Sequence, residues 1–95
     1  MIKKIRILGI DYPVTYVDMC GNVGQCHNLE TKIVIDTAQN SEQHQPCVLL
    51  HEIIEALDYR LELKLDHNVL TSLESGLYQV FRDNPGLAKY IITGK

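Results

Sequence analysis

Five side chains in the second half of this chain are of types that hold a divalent cation or move a proton: His51, Glu52, Glu55, His67 and Glu74. His51 and Glu55 are four residues apart. On a helix that spacing puts them on one face, where both can grip a single ion. Glu52, beside His51, is placed to take a proton from an attacking water. His67 and Glu74 are seven apart, nearly on one side of a following helix and two turns separated. Two antiparallel helices with a short link would bring that side towards His51 and Glu55. The full order, His51-Glu52-x-x-Glu55 … His67 … Glu74, differs at one position from His-Glu-x-x-His, the helix-borne signature of metal-assisted peptide hydrolysis. Glu55 replaces the second imidazole with a carboxylate, which is also a zinc ligand type.

The substitution changes the electrostatics. Zinc held by His51, Glu55 and Glu74 is formally neutral, whereas two His and one Glu leave one positive charge. More carboxylate makes a weaker Lewis acid. Were His67 to bind as well, four protein ligands would close the site, as in a structural zinc centre. The bland alternative is a solvated helix face, because on a helical wheel His51 and Glu55 fall away from the centre of the Leu/Ile stripe. Other candidates are weaker. Cys20 and Cys26-His27 are soft ligand types without a recognised zinc spacing. Cys47 reads as a small buried hydrophobe and His44 as an exposed loop residue. Tyr59, Tyr78 and Tyr90 are candidate phenol donors to a developing oxyanion. Asp58, seven residues after His51, could orient its imidazole.

The elements that must carry these residues can be read in outline. Met1–Ile10 and Val14–Val17 suggest two strands around a turn spanning Gly9-Ile10-Asp11-Tyr12-Pro13. Gln25–His27 and Thr31–Asp36 suggest a second hairpin about Asn28-Leu29-Glu30. After the polar stretch 38–46, Ser41 or a later residue can cap a helix and Pro46 suits its first turn. Leu49, Leu50, Ile53, Ile54, Leu57 and Leu61 then recur at helical spacing to about Leu63. Asp66 can cap a second helix whose buried stripe is expected to hold Val69, Leu70, Leu73, Leu77, Val80 and Phe81. Asn84-Pro85-Gly86 stops it, and 87–95 is expected to be a short extra turn or a frayed end. The fold class is α+β: a small three- to four-stranded sheet followed by two packed helices, an active-site helix and a glutamate helix, within a single domain over 1–95.

Composition bounds the function. The chain has 95 residues, 45% hydrophobic and 22% charged, ordinary for a folded domain. A net charge of −3 argues against a broad nucleic-acid face; the basic cluster Lys3, Lys4 and Arg6 is its only encouragement. The longest apolar run, Cys47–Leu50, is too short to span a bilayer. Charges in the first six residues do not suit a signal peptide. Three cysteines, an odd number, suit a reducing cytoplasm better than a disulfide framework.

With these residues in view the chain resembles the minigluzincins and the ImmA/IrrE-like metallopeptidase-related proteins of phages and mobile elements. Ile33-Val34-Ile35-Asp36, Leu49-Leu50-His51-Glu52 and the stretch from Leu73-Glu74-Ser75-Gly76-Leu77 to Asn84-Pro85 carry the likeness, which spans nearly the whole chain. The resemblance implies a zincin-like fold, with His51 a metal ligand, Glu52 the base and Glu74 the downstream ligand. This chain has Glu55 where the family has its second His, and Ser75 directly before Gly-Leu, where the family places its ligand Glu. The implied activity is that of a small zinc metallopeptidase acting on an extended peptide or protein segment along a sheet edge. The alternative is an inactive relative that works by protein–protein contact, with or without a structural metal. Neither needs nucleic acid or a membrane.

Overall fold

A computed structural model describes residues 1–18, 24–38 and 41–95. Four strands, β1 (Lys4–Ile7), β2 (Ile10–Val17), β3 (Gly24–His27) and β4 (Lys32–Asp36), are followed by helices α1 (Gln45–Leu61), α2 (His67–Asp83) and α3 (Leu87–Thr93). The class is α+β, with the sheet first and the helices after it. The two expected hairpins are present as antiparallel pairs, β1 with β2 and β3 with β4. They are joined by parallel pairing of β2 with β4, giving the order β1-β2-β4-β3.

The first turn is tighter than expected. It is formed by Leu8 and Gly9, with φ of 50° and 81°, the twist that a two-residue hairpin loop needs. Asp11, Tyr12 and Pro13 therefore belong to β2 rather than to the turn. Pro13 is tolerated there because β2 changes partner beside it: Ile10–Pro13 face β1, and Val14–Val17 face β4. The Val14 N–H donates to Lys3 O at 2.8 Å. Strand alternation then aims the missing donor of Pro13 the other way, where pairing with β4 has not begun.

Period-2 alternation buries Tyr12 and Val14 on β2 and Ile33 and Ile35 on β4, and α1 covers them with Val48, Leu49 and Ala56. The sheet-facing side of α1 differs from the expected stripe. Glu52 lies in it with 3% exposure, while Leu61 is 53% exposed. Buried polar contacts fix the helix angle. The Tyr12 hydroxyl donates to Asn28 Oδ1 at 2.9 Å. Arg60 donates from Nε to the Tyr12 hydroxyl at 3.0 Å and from Nη2 to Asn28 O at 2.7 Å. One residue of α1 thus clamps β2 and the β3–β4 turn together.

The link between α1 and α2 is short and tied. Glu62 and Lys64 adopt left-handed φ of 52° and 57°. Asp58 Oδ1 accepts from Leu65 N at 2.9 Å, so Asp58 holds this link rather than the His51 imidazole. Asp66 caps α2 as expected, accepting from Asn68 N at 3.2 Å. The stripe on α2 is a correction. Only Leu70 of the six expected residues is buried; Val69, Leu73, Leu77, Val80 and Phe81 are 40–46% exposed. The reason is that α2 packs on α1 with its Leu70/Glu74/Tyr78 side, while α1 covers the sheet. The tail forms the short helix α3 and ends on Gly94 in left-handed conformation. Among the described residues no helix is long and apolar enough to cross a membrane.

Tyr12→Phe keeps the ring and removes the acceptor for Arg60. Its expected cost is about 1–3 kcal/mol, read as a lower urea midpoint with an unchanged denaturant slope. An unaltered midpoint would remove the clamp from the account of the fold.

Candidate metal centre

Pro46 in the first turn starts α1, and the Ser41 hydroxyl accepts from His44 N at 3.3 Å just before it. The helix then presents Cys47, His51 and Glu55 at successive four-residue steps beside α2. Glu74 reaches back from α2. Its Oε1 lies 2.8 Å from His51 Nδ1, and its Oε2 accepts from Cys47 Sγ at 3.1 Å. The other ring nitrogen, Nε2, lies 3.2 Å from Glu55 Oε1. One imidazole is therefore held between carboxylates of two helices. The side chains of His51, Glu74 and Glu55 are 20%, 16% and 37% exposed. With Glu52, Cys47, Val48 and His44 they line a cavity of about 280 Å³.

His51, Glu52 and Glu55 each offer a ligand atom, all within 4.8 Å of one another, and could hold a metal ion. Donor atoms around a tetrahedral zinc stand about 3.4 Å apart, so closing the group needs only side-chain rotation. Glu52 Oε2 is a second reason to place a cation here. It is buried and has no hydrogen-bond partner among the described residues. An orphaned carboxylate oxygen is costly unless it is protonated or paired with a cation.

The electrostatics follow from this crowding. Burial, then the nearby Glu55 carboxylate, pushes the Glu52 carboxyl up to about 7. Burial alone would lower the His51 imidazole, but the hydrogen bond it donates to Glu74 and the charges of Glu52, Glu55 and Glu74 carry it above its usual value. As an imidazolium it donates to both flanking carboxylates. The Cys47 thiol is pushed up to about 11 by burial and by Glu74, so it is a neutral donor rather than a nucleophile.

Of the residues expected from sequence, His51, Glu52, Glu55 and Glu74 converge. His67 stands beside them, exposed in the first turn of α2, its ring centre 6.3 Å from that of His51 and edge-on to it. Tyr78 turns its hydroxyl to Gln43 O at 3.5 Å. Tyr59 and Tyr90 are exposed, and the Tyr59 ring carries the Arg60 guanidinium 5.2 Å from its centre. Cys20 and the side chain of Cys26 lie outside the described residues. Sequence reasoning missed Cys47, which lines the cavity and bonds to Glu74 instead of filling the core. Its position four residues before His51 was the available signal. No protein-family model, curated protein or solved structure matches this chain.

Proton linkage gives a test. Folded Glu52 titrates above its unfolded value of 4.5, so between these values the folded state binds more protons than the unfolded one. Stability from this group is complete below about 4.5 and is lost as pH rises through about 7. His51, also raised, acts in the same direction: its contribution is present below 6.5 and fades above its folded value. Chelator-treated protein should therefore be less stable at pH 8.5 than at pH 5, by on the order of 1–3 kcal/mol. Glu52→Gln should remove much of that slope in urea melts. A rise in stability across this range would contradict the placement of both groups.

Proposed function

We propose that this chain is a small zincin-like zinc protein of the minigluzincin and ImmA/IrrE-like kind, which hydrolyses peptide bonds at a variant His-Glu-x-x-Glu site. The observation that carries the reading is the meeting of His51 and Glu74, at 2.8 Å across two helices, beside a buried Glu52 whose Oε2 has no partner among the described residues. His51 and Glu55, two of the three residues whose donor atoms lie within 4.8 Å of one another, would hold the ion, and Glu74, now on the other ring nitrogen of His51, would swing across to join them. A bound zinc supplies Lewis-acid polarisation of a water and of a substrate carbonyl.

The chain's own residues do the rest. Glu52, poised near neutrality, accepts the proton of the attacking water and returns it to the leaving amine. Glu74 and Glu55 orient the His51 ring by holding its nitrogens until an ion displaces one of them. The apolar wall of Val48 limits water around Glu52. An extended peptide has a sheet edge available at β3, the strand beside α1, where main-chain pairing would hold it.

A second reading rests on the same geometry. Because both nitrogens of His51 are already engaged, an ion must break one of these contacts, and carboxylate ligands in place of a second imidazole reduce its Lewis acidity. That favours a protein that binds a partner and uses any metal structurally. Titration calorimetry with Zn²⁺, and a melt with and without chelator, separate the two. At a hundredfold excess over Kd the ion should add about 2.7 kcal/mol of stability. His51→Ala and Glu74→Ala should each weaken zinc by at least roughly 100-fold. Glu52→Gln should keep zinc within about tenfold and slow hydrolysis of a peptide library by about 10²–10⁴. Stoichiometric zinc without turnover supports the second reading, and no zinc binding at all sinks the first.

A further inference from the structure

The apolar face of α2 is not used by the sheet, by α1 or by the proposed centre. Leu73, Leu77 and Val80 follow one another at four- and three-residue steps along the exposed seam, with Val69 and Phe81 on its flanks. Leu70 is buried against α1, and the others are 40–46% exposed. Such a row at exposure is unusual, because a helix of this kind normally buries its stripe.

We infer that this face packs against the same face of a second copy of the chain, as an antiparallel α2–α2 pair about a two-fold axis. Three features select that occupant. The seam is self-complementary. Antiparallel pairing centred near Ser75 sets Leu73 of one copy against Leu77 of the other, twice over about the two-fold, which is what an isologous interface requires. The stretch 69–81 carries one charge, Glu74, already engaged by His51 and Cys47. No residue in it asks for an oppositely charged partner, and none repels its own copy. Gly76 flanks the seam's midpoint and has nothing within 4 Å where a Cβ would stand, so a second helix can approach closely there.

Surface area points the same way. The chain exposes 6605 Å², whereas a folded monomer of 10.8 kDa exposes roughly 5,500 Å². The excess of roughly 1,000 Å², to which this face contributes along with the rest of the chain, leaves room for the ≈ 800 Å² each partner contributes to a stable interface. The radius of gyration, 13.6 Å, likewise exceeds the roughly 12.4 Å of a compact chain this long.

Sedimentation equilibrium of the full chain at tens of micromolar tests this. The expected result is a dimer. Leu73→Glu and Leu77→Glu should each weaken it at least ~100-fold while the circular dichroism stays that of a folded protein. Leu29→Glu, at an 89% exposed position elsewhere, should leave it intact. Gly76→Cys should form an intermolecular disulfide under mild oxidant, in excess of any formed by the wild type, since the antiparallel seam brings the two positions together. A monomeric wild type, as for a face reserved for a different protein, overturns the proposal. So does a dimer that survives the Glu substitutions or fails to cross-link through position 76.

Discussion

The imidazole of His51 is the hinge on which the helical half of this molecule is organised. It is flanked by Glu55 on its own helix and by Glu74 on the next. A half-buried ion pair is a poor way to gain stability, because taking the charges out of water offsets much of their attraction, and apolar side chains of similar size would often do better. Two further carboxylate contacts, from Cys47 to Glu74 and from Asp58 to the α1–α2 link, are equally costly to arrange. A chain with only ten buried hydrophobic residues among those described has little stability to forgo. The concentration of polar groups at one helix crossing therefore contributes little to folding.

The position of Glu52 sharpens that point. It lies on the sheet-facing side of α1, in the row with Val48, Leu49 and Ala56, where an apolar residue would cap the β2–β4 core without cost. Instead a carboxyl group sits there, raised towards neutrality by burial and by Glu55. Groups tuned in this way are characteristic of acid–base sites. The core and the site are not separate regions of this protein; they share one helix and meet at this residue.

How far the sequence revealed this depends on what each signal measures. Local signals were reliable. Pro46 and Asp66 mark helix starts through backbone chemistry confined to one turn, Asn84-Pro85 marks a stop, and the β-branched run Ile33-Val34-Ile35 marks a strand. The four-residue spacing of His51 and Glu55 placed them together because it is a property of the helix itself. Signals that depend on what lies opposite were not legible. A helical wheel locates an apolar stripe but not its partner, so the stripe of α2 was assigned to the core when α1 had already filled it. The same wheel does not show that Glu52 is buried. Pro13 looked like turn chemistry because nothing local shows that β2 changes partner beside it. The clamp of Arg60 on Tyr12 and Asn28 joins residues 48 and 32 apart, beyond any periodicity.

Glu74 rides on the least anchored of the long elements. Helix α2 contributes one buried side chain, Leu70, and is otherwise held by polar contacts at its α1 side and by the Asp58–Leu65 tie at its start. Elements with few buried apolar contacts open locally at a free energy well below that of global unfolding. Each opening of α2 withdraws Glu74 from His51 and divides the cluster between two helices. Ligand affinity at a site assembled from two elements is reduced by the fraction of time they are apart. Covering the α2 seam would therefore act on the cluster without touching it, by raising the population in which Glu74 is in place. The exposed stripe and the polar cluster lie on adjoining sides of the same helix, and the physical coupling between them is the stability of that helix against α1.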